Sequence, residues 1–357
     1  MKKILFVFLL LLPIRVLALS VPSKNAILID QDSGRILYSK NINNKRLIAS
    51  TTKIMTAVIA IESGKLDDLV TIDKESTKSY GSGIYIKEGE KITLRELVYG
   101  LLLRSGNDAA LAIENYLGGH DSFIKKMNIK AREIGMNNTI FENSSGLDES
   151  NEENYSTVYD MALLMKYANN LYDFREINNT KKIKVETNKN IYIWNNKNKL
   201  LYSYKYATGG KTGYTTKAKR TLVTSASKND INLIAVTFID KDDFNTHKKL
   251  YEYGFNNYKK YLILNNNKIK IKGYKYLYIK NNYYYLLKKG ENKQIKTSFI
   301  KNRKNDRVGY ILVSFRNKTV HKEPVYINKN RFKKRLFSFW FDKKYYLWYT
   351  FWRFWGE

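Results

Sequence analysis

A serine and a lysine three positions apart begin the segment of this chain that is best suited to chemistry. Ser50 and Lys53 stand among small hydroxyl residues and lead into an apolar stretch that ends at Gly64. Serine and threonine favour helix N-caps and glycine favours C-caps, so we predict a helix over residues 50–62. Positions i and i+3 share a helix face, which brings the Lys53 amine within reach of the Ser50 hydroxyl. A lysine kept neutral by burial or by a nearby cation can activate a serine for acyl transfer.

The spacing alone is weak evidence, because Ser-x-x-Lys occurs four times, beginning at Ser50, Ser122, Ser225 and Ser298. A solvated helix or strand face explains most such pairs. The Ser50 pair stands out through two later segments. Ser105-Gly106-Asn107 lies between two helical patterns and could project a hydroxyl and an amide into a cleft, although Gly and Asn also favour ordinary turns.

The second segment is Lys211-Thr212-Gly213-Tyr214, which precedes strand-like runs at 221–225 and 231–239. A strand with this composition offers a bound peptide a cation and a hydroxyl. Its glycine also lets the peptide come close without meeting a side chain. A plain hairpin corner is the alternative interpretation. The order, spacing and flanks of the three segments together carry more weight than any one of them.

In this order the three motifs resemble those of penicillin-binding proteins and serine β-lactamases. Their flanks resemble the low-molecular-weight D-alanyl-D-alanine carboxypeptidases over roughly residues 24–256, as do segments 86–90, 143–148 and 155–162. The resemblance implies a serine-type carboxypeptidase that removes the terminal D-alanine from peptidoglycan stem peptides and binds β-lactams covalently. It implies no cofactor.

The resemblance also implies residue roles. Ser50 is the expected nucleophile and Lys53 its base, while Ser105 and Lys211 relay a proton to the leaving amine. The expected substrate-binding residues are Asn107, Lys211, Thr212, Gly213 and Tyr214, and the backbone N–H groups of Ser50 and Tyr214 are the expected oxyanion hole. Members usually hold the substrate carboxylate with an arginine near residues 239–246. This chain has no arginine there, so Lys211 and Lys241 remain alternatives.

Three other functions compete with this interpretation. A serine β-lactamase with fast deacylation carries a Glu-x-x-Leu-Asn loop between the second and third motifs, and the sequence has none. A non-catalytic, wall-associated binding protein would not need the intact serine, lysines and asparagine. A basic adhesive or nucleic-acid-binding protein is disfavoured by the export signal described below.

Composition bounds the chemistry further. The chain has no cysteine, and its three histidines have no metal-ligand spacing, so we predict no disulfide and no metal site. The net charge of +30 is uneven, because residues 256–357 contain 26 basic and five acidic residues. A basic tail favours an anionic surface such as phospholipid or wall polymer, although a bias toward Lys and Asn could also produce it.

The chain divides into four predicted parts. Residues 1–20 have the basic start, nine-residue apolar run and small-residue cleavage site of a signal peptide, which predicts export to the outer face of the cytoplasmic membrane or the cell wall. We predict an α+β catalytic domain over 21–257, β-lactamase/transpeptidase-like, with an antiparallel sheet flanked by helices. A small all-β domain follows over 258–328, and a C-terminal amphipathic helix over 329–357.

Several elements are predicted inside these domains. In the catalytic domain, 84–86 is expected to be a short strand, and 94–103, 109–117, 121–134, 155–169 and 245–253 are expected to be helices. In the small domain, alternation of apolar residues with lysine predicts a strand over 269–278. Segment 331–357 mixes Arg and Lys with Trp, Tyr and Phe, as an interfacial helix does. It could instead pack on the small domain as its last element.

Overall fold

The computed structural model describes residues 19–148, 152–266, 269–274 and 277–327. The chain divides into two compact units between Asn256 and Asn257. Within the described ranges, no helix is both long and apolar enough to cross a membrane. The predicted amphipathic segment 329–357 lies outside the described residues, as does the predicted signal peptide apart from Leu19 and Ser20.

An antiparallel sheet of five strands, in the order β2-β1-β11-β10-β9, forms the centre of the first unit. The smaller pairs in the same unit are β3–β6, β4–β5 and β7–β8. The strands are β1 (Asn25–Asp30), β2 (Ile36–Lys40), β3 (Arg46–Leu47), β4 (Leu69–Thr71), β5 (Lys91–Thr93), β6 (Tyr155–Ser156), β7 (Lys182–Glu186), β8 (Ile191–Asn195), β9 (Ala207–Thr215), β10 (Lys219–Lys228) and β11 (Ile231–Phe238).

The helices of the first unit lie on both faces of this sheet. They are α1 (Lys53–Glu62), α2 (Leu94–Tyr99), α3 (Asn107–Tyr116), α4 (His120–Glu133), α5 (Val158–Ala168), α6 (Tyr172–Asn179), α7 (Leu200–Ser203) and α8 (Asp243–Asn257). Strand β1 is buried along its whole length. Its Ile27 and Ile29 join the apolar cluster of α1 and α5, whereas Leu28 lies beside Gly254 of α8. Burial on both faces explains why the middle of β1, over 26–29, is continuously apolar.

Helix α1 is the buried axis of the unit. Every residue from Lys53 to Ala60 is buried. A 3-10 turn over Ala49–Thr52 precedes the helix, so the predicted helix over 50–62 begins as a tighter turn. Gly64 follows the helix with φ +70°, the left-handed conformation that a glycine C-cap supplies. Ser50 thus lies just ahead of a rigid helix, on a turn of different geometry.

The second motif follows another irregular helix end. Helix α2 begins with a capping box between Thr93 and Glu96 and continues as a π-helical turn over Gly100–Arg104. Ser105 ends this turn in the left-handed conformation, with φ +63°, and α3 starts two residues later at Asn107. Wide turns and left-handed non-glycine residues are found often at functional sites.

Two details of the sequence analysis were wrong or incomplete in this unit. The predicted strand at 84–86 is not a strand, because the Ile84 and Tyr85 amides donate to the Asp108 carboxylate instead of joining a ladder. Helices α6 and α7 were not predicted. Both are short, and the sequence around α7 is rich in Asn, Lys and Tyr without a clear apolar period.

The described part of the second unit consists mainly of strands. They are β12 (Lys259–Leu264), β13 (Leu277–Tyr278), β14 (Tyr283–Leu287), β15 (Ile295–Lys304), β16 (Arg307–Phe315) and β17 (Lys318–Ile327), with a 3-10 turn at Glu291–Gln294. The sheet orders are β13-β17-β16-β15 and β12-β14. The predicted strand over 269–278 was wrong for its first half, because a turn at Gly273, φ +85°, joins the Tyr274 amide to the Ile271 carbonyl.

Candidate active site

Ser50 lies in a turn whose backbone is held by its surroundings. It is the partly exposed residue among buried neighbours in the 3-10 turn. Ala49 has φ +48°, which is strained for a residue with a side chain, and Thr51 Oγ1 anchors the turn by donating to the Ile48 carbonyl at 2.6 Å. A non-glycine residue in this conformation persists only where packing enforces it, so the position of the serine is set in advance.

Two glycines from distant segments pack against this turn. A Cβ on Gly146 would lie 2.0 Å from the Ala49 carbonyl oxygen, and Gly146 has φ +78°. A Cβ on Gly213 of β9 would lie 3.1 Å from the Ser50 amide nitrogen and 2.3 Å from Thr221 Oγ1. The third motif therefore contacts the first through a residue without a side chain.

Lys53 connects the first and second motifs. Its side chain is fully buried, and its Nζ donates to Ser50 Oγ at 3.1 Å, to Asn107 Oδ1 at 2.7 Å and to the Ser145 carbonyl. Burial lowers the pKa of Lys53 to about 7, the charge of Lys197 lowers it too, and the charge of Asp108 opposes the shift. A large neutral fraction near pH 7 lets this amine accept the serine proton.

Lys211 connects the second and third motifs. Its side chain is 2% exposed, and Nζ donates to Ser105 Oγ at 2.9 Å and to the Thr212 carbonyl at 2.7 Å. Burial holds the pKa of Lys211 well below its usual value, and the charges of Lys53 and Lys197 lower it further. The Ser105 hydroxyl thus contacts a second buried amine.

Asn107 occupies the first position of α3. Its Nδ2 donates to the Tyr80 carbonyl at 2.6 Å, and its backbone amide donates to the Ser82 carbonyl at 2.7 Å. Its Oδ1 accepts from Lys53. The amide group that was expected to bind substrate is therefore hydrogen-bonded on both of its polar atoms, and a substrate that uses Nδ2 must share it with the loop around Tyr80.

Strand β9 carries the third motif at the edge of the central sheet, where it pairs only with β10 among the described strands. Thr212 is partly exposed and Tyr214 is 64% exposed. An edge strand offers unpaired backbone groups to an extended peptide. Lys241, the alternative carboxylate ligand, is exposed between β11 and α8 and is not part of this hydrogen-bond network.

The structure adds Lys197, which the sequence analysis did not identify. Its Nζ donates to Ser82 Oγ at 3.0 Å, and its amide donates to the Leu103 carbonyl, next to the turn that carries Ser105. Burial and the charge of Arg104 lower the pKa of Lys197 itself. With 63 basic residues in the chain, no local signal distinguishes this lysine.

Asp108 and the 143–146 loop lie next to the Lys53 side chain and its hydrogen-bond partners. Asp108 is buried and accepts from the Ile84 and Tyr85 amides at 3.0 and 2.6 Å. The Ser144 carbonyl accepts from Thr56 Oγ1 at 2.6 Å, one turn along α1 from the contact between Ser145 and Lys53. Hydroxyl, two amines of lowered pKa and an amide thus converge beside an edge strand, an arrangement able to perform acyl transfer.

Comparison with protein families agrees with this chemistry. A family model described as D-alanyl-D-alanine carboxypeptidase matches residues 14–242, a span that includes all three motifs. The chain is similar to D-alanyl-D-alanine carboxypeptidase DacF of Bacillus subtilis, with 34% identity over 265 residues, 70% of this chain and 67% of the relative. It is 35% identical to DacC of Escherichia coli over 251 residues, 66% of this chain and 62% of that protein.

Comparison with solved structures also finds D-alanyl-D-alanine carboxypeptidases. A D-alanyl-D-alanine carboxypeptidase from Mycobacterium tuberculosis has a TM-score of 0.65 and 30% identity, covering 68% of this chain and 94% of its own. DacD from Francisella tularensis has a TM-score of 0.68 and 25% identity, covering 89% of this chain and 95% of its own.

Proposed function

The chain belongs to the D-alanyl-D-alanine carboxypeptidase family and is a serine-type peptidase, and we propose that Ser50 is its nucleophile and Lys53 its general base. The observation that carries this proposal is the 3.1 Å contact between Lys53 Nζ and Ser50 Oγ, made by a lysine whose pKa is lowered to about 7. A base whose pKa lies near the working pH is suited to both taking and returning a proton.

The proposed reaction has two covalent steps. Ser50 Oγ attacks the carbonyl carbon between two terminal D-alanine residues while its proton passes to neutral Lys53. The C–N bond then breaks, and the proton taken by Lys53 is relayed to the leaving D-alanine amine through Ser105 and Lys211, whose hydroxyl and amine lie 2.9 Å apart, so that Lys53 becomes neutral again. A water molecule hydrolyses the resulting acyl-serine ester, which releases the shortened peptide and restores the Ser50 hydroxyl.

We propose that the substrate lies along the free edge of β9. The backbone amides of Ser50 and Tyr214 would hold the oxyanion, Asn107 the peptide backbone, and Thr212 and Gly213 the segment next to the cleaved bond. The closeness of Gly213 to the Ser50 amide supports this assignment. For the terminal carboxylate we favour Lys211 over Lys241, because Lys211 already contacts Ser105 and an arriving carboxylate would raise its pKa and keep it charged.

We propose that the natural substrate is a peptidoglycan stem peptide ending in D-Ala-D-Ala and that β-lactams acylate the same serine. The domain proposal remains a signal peptide at 1–20, a catalytic domain at 21–257 and a small β-rich domain at 258–328, with segment 329–357 on an anionic membrane surface. The division into compact units between Asn256 and Asn257 supports the middle boundary. Action outside the cytoplasmic membrane follows from such a substrate.

The test combines covalent labelling with turnover. The wild-type protein should form a long-lived adduct with a labelled penicillin and should release D-alanine from a peptide ending in D-Ala-D-Ala. Ser50→Ala should abolish the adduct and lower D-alanine release by about 10³-fold or more. Ser122→Ala is the matched control, because Ser122 begins another Ser-x-x-Lys in the exposed part of α4. A stable adduct in Ser50→Ala contradicts the assignment, and rapid penicillin hydrolysis identifies a β-lactamase instead.

A further inference from the structure

A polar cavity of about 470 Å³ lies between α6 and one end of the central sheet. Pockets that hold small ligands commonly have volumes of about 300–1,000 Å³. The cavity is separate from the acyl-transfer site, since none of its lining residues belongs to the three motifs or to their hydrogen-bond partners. We call it the α6 cavity and define it by six of its lining residues, which are Gln31, Asn169, Tyr172, Asn179, Ser227 and Asn232.

Helix α6 forms one wall of the cavity through a single stripe of side chains. The four lining residues of this helix stand at positions i, i+3, i+4 and i+7 and therefore share a face; they are Tyr172, Arg175, Glu176 and Asn179. Phe174 and Ile177, on another face, are buried in the apolar core of the unit. The amphipathic character of α6 thus places its polar face on the cavity. The opposite wall is formed by the end of β10 and the starts of β9 and β11.

Contacts among the lining residues hold their side chains in place. Arg175 Nη1 donates to the Asn169 carbonyl at 2.7 Å, and its guanidinium lies 5.9 Å from the centroid of the Tyr172 ring. Asn169 is 6% exposed, and its Nδ2 donates to Gln31 Oε1 at 2.7 Å. The Gln31 backbone amide donates to the Asn232 carbonyl at 2.8 Å. Side chains that are fixed before a ligand arrives lose little conformational entropy when it binds.

The lining also keeps unused hydrogen-bonding groups. Among the residues that the structure describes, Gln31 Nε2 and Asn169 Oδ1 have no hydrogen-bond partner. Within the same part of the chain, the side chains of Asn179 and Ser227 have none either. An amide side chain presents donors and an acceptor side by side, and a hydroxyl can do either. Such a lining matches a ligand that carries many hydroxyl and amide groups.

The charge of the cavity narrows the ligand class. Its described lining holds one cation, Arg175, and one anion, Glu176, although the chain has a net charge of +30. Ala226 is the one aliphatic residue in that lining. A site for a polyanion would collect basic residues, and a site for an apolar ligand would collect apolar ones. Tyr172 is 70% exposed and offers a flat ring on which a sugar can stack. A neutral carbohydrate therefore fits best.

We propose that the α6 cavity binds a glycan strand of peptidoglycan, where the identity of the glycan rests on the proposed function. Thr208 of the lining lies three residues before Lys211 on β9, or about 10 Å along the strand. In the proposed orientation of the substrate, the terminal carboxylate lies at Lys211 and the cleaved bond at Gly213. The stem peptide then approaches from the other end of β9, so the strand in the cavity is a neighbour of the one whose peptide is cleaved. Binding it keeps the enzyme on the polymer and raises the local concentration of stem peptides.

Tetra-N-acetylchitotetraose, a neutral oligomer of N-acetylglucosamine, tests the site by isothermal titration calorimetry. We expect the wild-type protein to bind it, and to bind the monosaccharide N-acetylglucosamine more weakly. Tyr172→Ala should raise the Kd of the tetramer about five- to tenfold through loss of the stacking surface, and Asn179→Leu should raise it through loss of an amide. Tyr202→Ala is the matched control, because Tyr202 is 55% exposed and has Lys181 Nζ 5.9 Å from its ring centroid but does not line the cavity.

Turnover on two substrates tests the use of the site. Tyr172→Ala should lower the rate of D-alanine release from intact wall polymer about three- to tenfold. It should leave kcat/KM for a soluble peptide ending in D-Ala-D-Ala unchanged, along with penicillin labelling, and these two measurements also report that the variant is folded. The difference on the polymer should persist at about 0.5 M salt, where general attraction of a basic chain to an anionic polymer is screened.

The outcomes separate this inference from the proposed function. Absence of tetramer binding in the wild-type protein, or binding that Tyr172→Ala and Asn179→Leu leave unchanged, overturns the inference, as does an effect on the polymer that disappears at high salt. Equal affinity for the monosaccharide and the tetramer overturns the assignment to a strand. If neither substrate releases D-alanine and no Ser50-dependent penicillin adduct forms, the proposed function is wrong, whereas tetramer binding that Tyr172→Ala weakens still identifies a carbohydrate site.

Discussion

Replacing Lys53 with methionine distinguishes the role of this lysine in catalysis from the loss of stability that its burial causes. Methionine fills a similar volume without a charge, so the packing around α1 should survive. In the wild-type protein, burial lowers the pKa of Lys53 from 10.5 to about 7. Between those two values the unfolded chain holds a proton that the folded chain does not, so the free energy of unfolding rises with pH across that window.

The magnitude follows from the size of the shift. Lowering the pKa of Lys53 from 10.5 to about 7 makes the wild-type free energy of unfolding about 4 kcal/mol smaller at pH 7 than at pH 10.5. Lys53→Met removes this destabilisation. It also leaves Asn107 Oδ1 and the Ser145 carbonyl without their donor, which lowers the free energy of unfolding by about 1–3 kcal/mol for each lost hydrogen bond. These two contributions nearly cancel at neutral pH. The pH dependence does not cancel, and it is therefore the quantity to measure.

Urea unfolding followed by circular dichroism, at about pH 7.5 and about pH 9.5, gives the difference between wild type and Lys53→Met. Over two pH units, wild type should gain about 2–3 kcal/mol relative to the variant. Lys182→Met removes an exposed lysine of β7 and is the control that should follow wild type. Parallel pH dependences for wild type and Lys53→Met would show that Lys53 keeps its proton on folding, and the general-base assignment would fail with that result.

Two further predictions concern the residues around this pair. Lys197→Met removes a like charge near Lys53 and should raise the apparent pKa of penicillin acylation above about 7, while Lys197→Arg should preserve it. An unchanged dependence of the acylation rate on pH in Lys197→Met would contradict an effect of Lys197 on the pKa of Lys53. Gly146→Ala places a Cβ against the Ala49 carbonyl and should slow acylation about 100-fold by displacing Ser50. Gly64→Ala has a similar positive φ but meets nothing within 4 Å, so it should acylate normally, and equal effects of the two would implicate backbone strain alone.

The structure brings together the residues that the sequence analysis proposed for the site, whereas parts of the fold around them were not predicted. Each motif is local, and its residue types are dictated by chemistry, so Ser50, Lys53 and Asn107 could be proposed as site residues without knowing how their segments meet. Contacts between distant segments had no such signal. Lys197 reaches the site only because the loop after β8 returns to the turn before Ser105, and Gly146 matters because of the Ala49 carbonyl beside it.

The errors in predicted elements have three different causes. Residues 84–86 have strand-like composition, but the buried Asp108 carboxylate, which lies 22 or more positions away, takes their amide hydrogens. The alternation over 269–278 is interrupted by a turn at Gly273. Strand β15 was not predicted because most of its residues are exposed, so no buried face imposes a period on the sequence. A tertiary contact thus decided the structure of 84–86, a local turn that of 269–274, and the lack of a buried face hid β15 from the sequence analysis.

The burial of α1 from Lys53 to Ala60 has a consequence for measuring how much of a preparation is native. Amide protons in this buried stretch exchange with solvent only when the whole unit opens. Lys53 is the first residue of the helix and Ser50 lies in the turn just before it, so both are held in place while the unit remains folded. A molecule of this protein is then either folded and able to react with a penicillin or unfolded and inert. We therefore expect a pulse of saturating penicillin that is short compared with refolding to label a fraction of molecules equal to the folded fraction at each denaturant concentration, so that pulse labelling measures the native protein in a preparation.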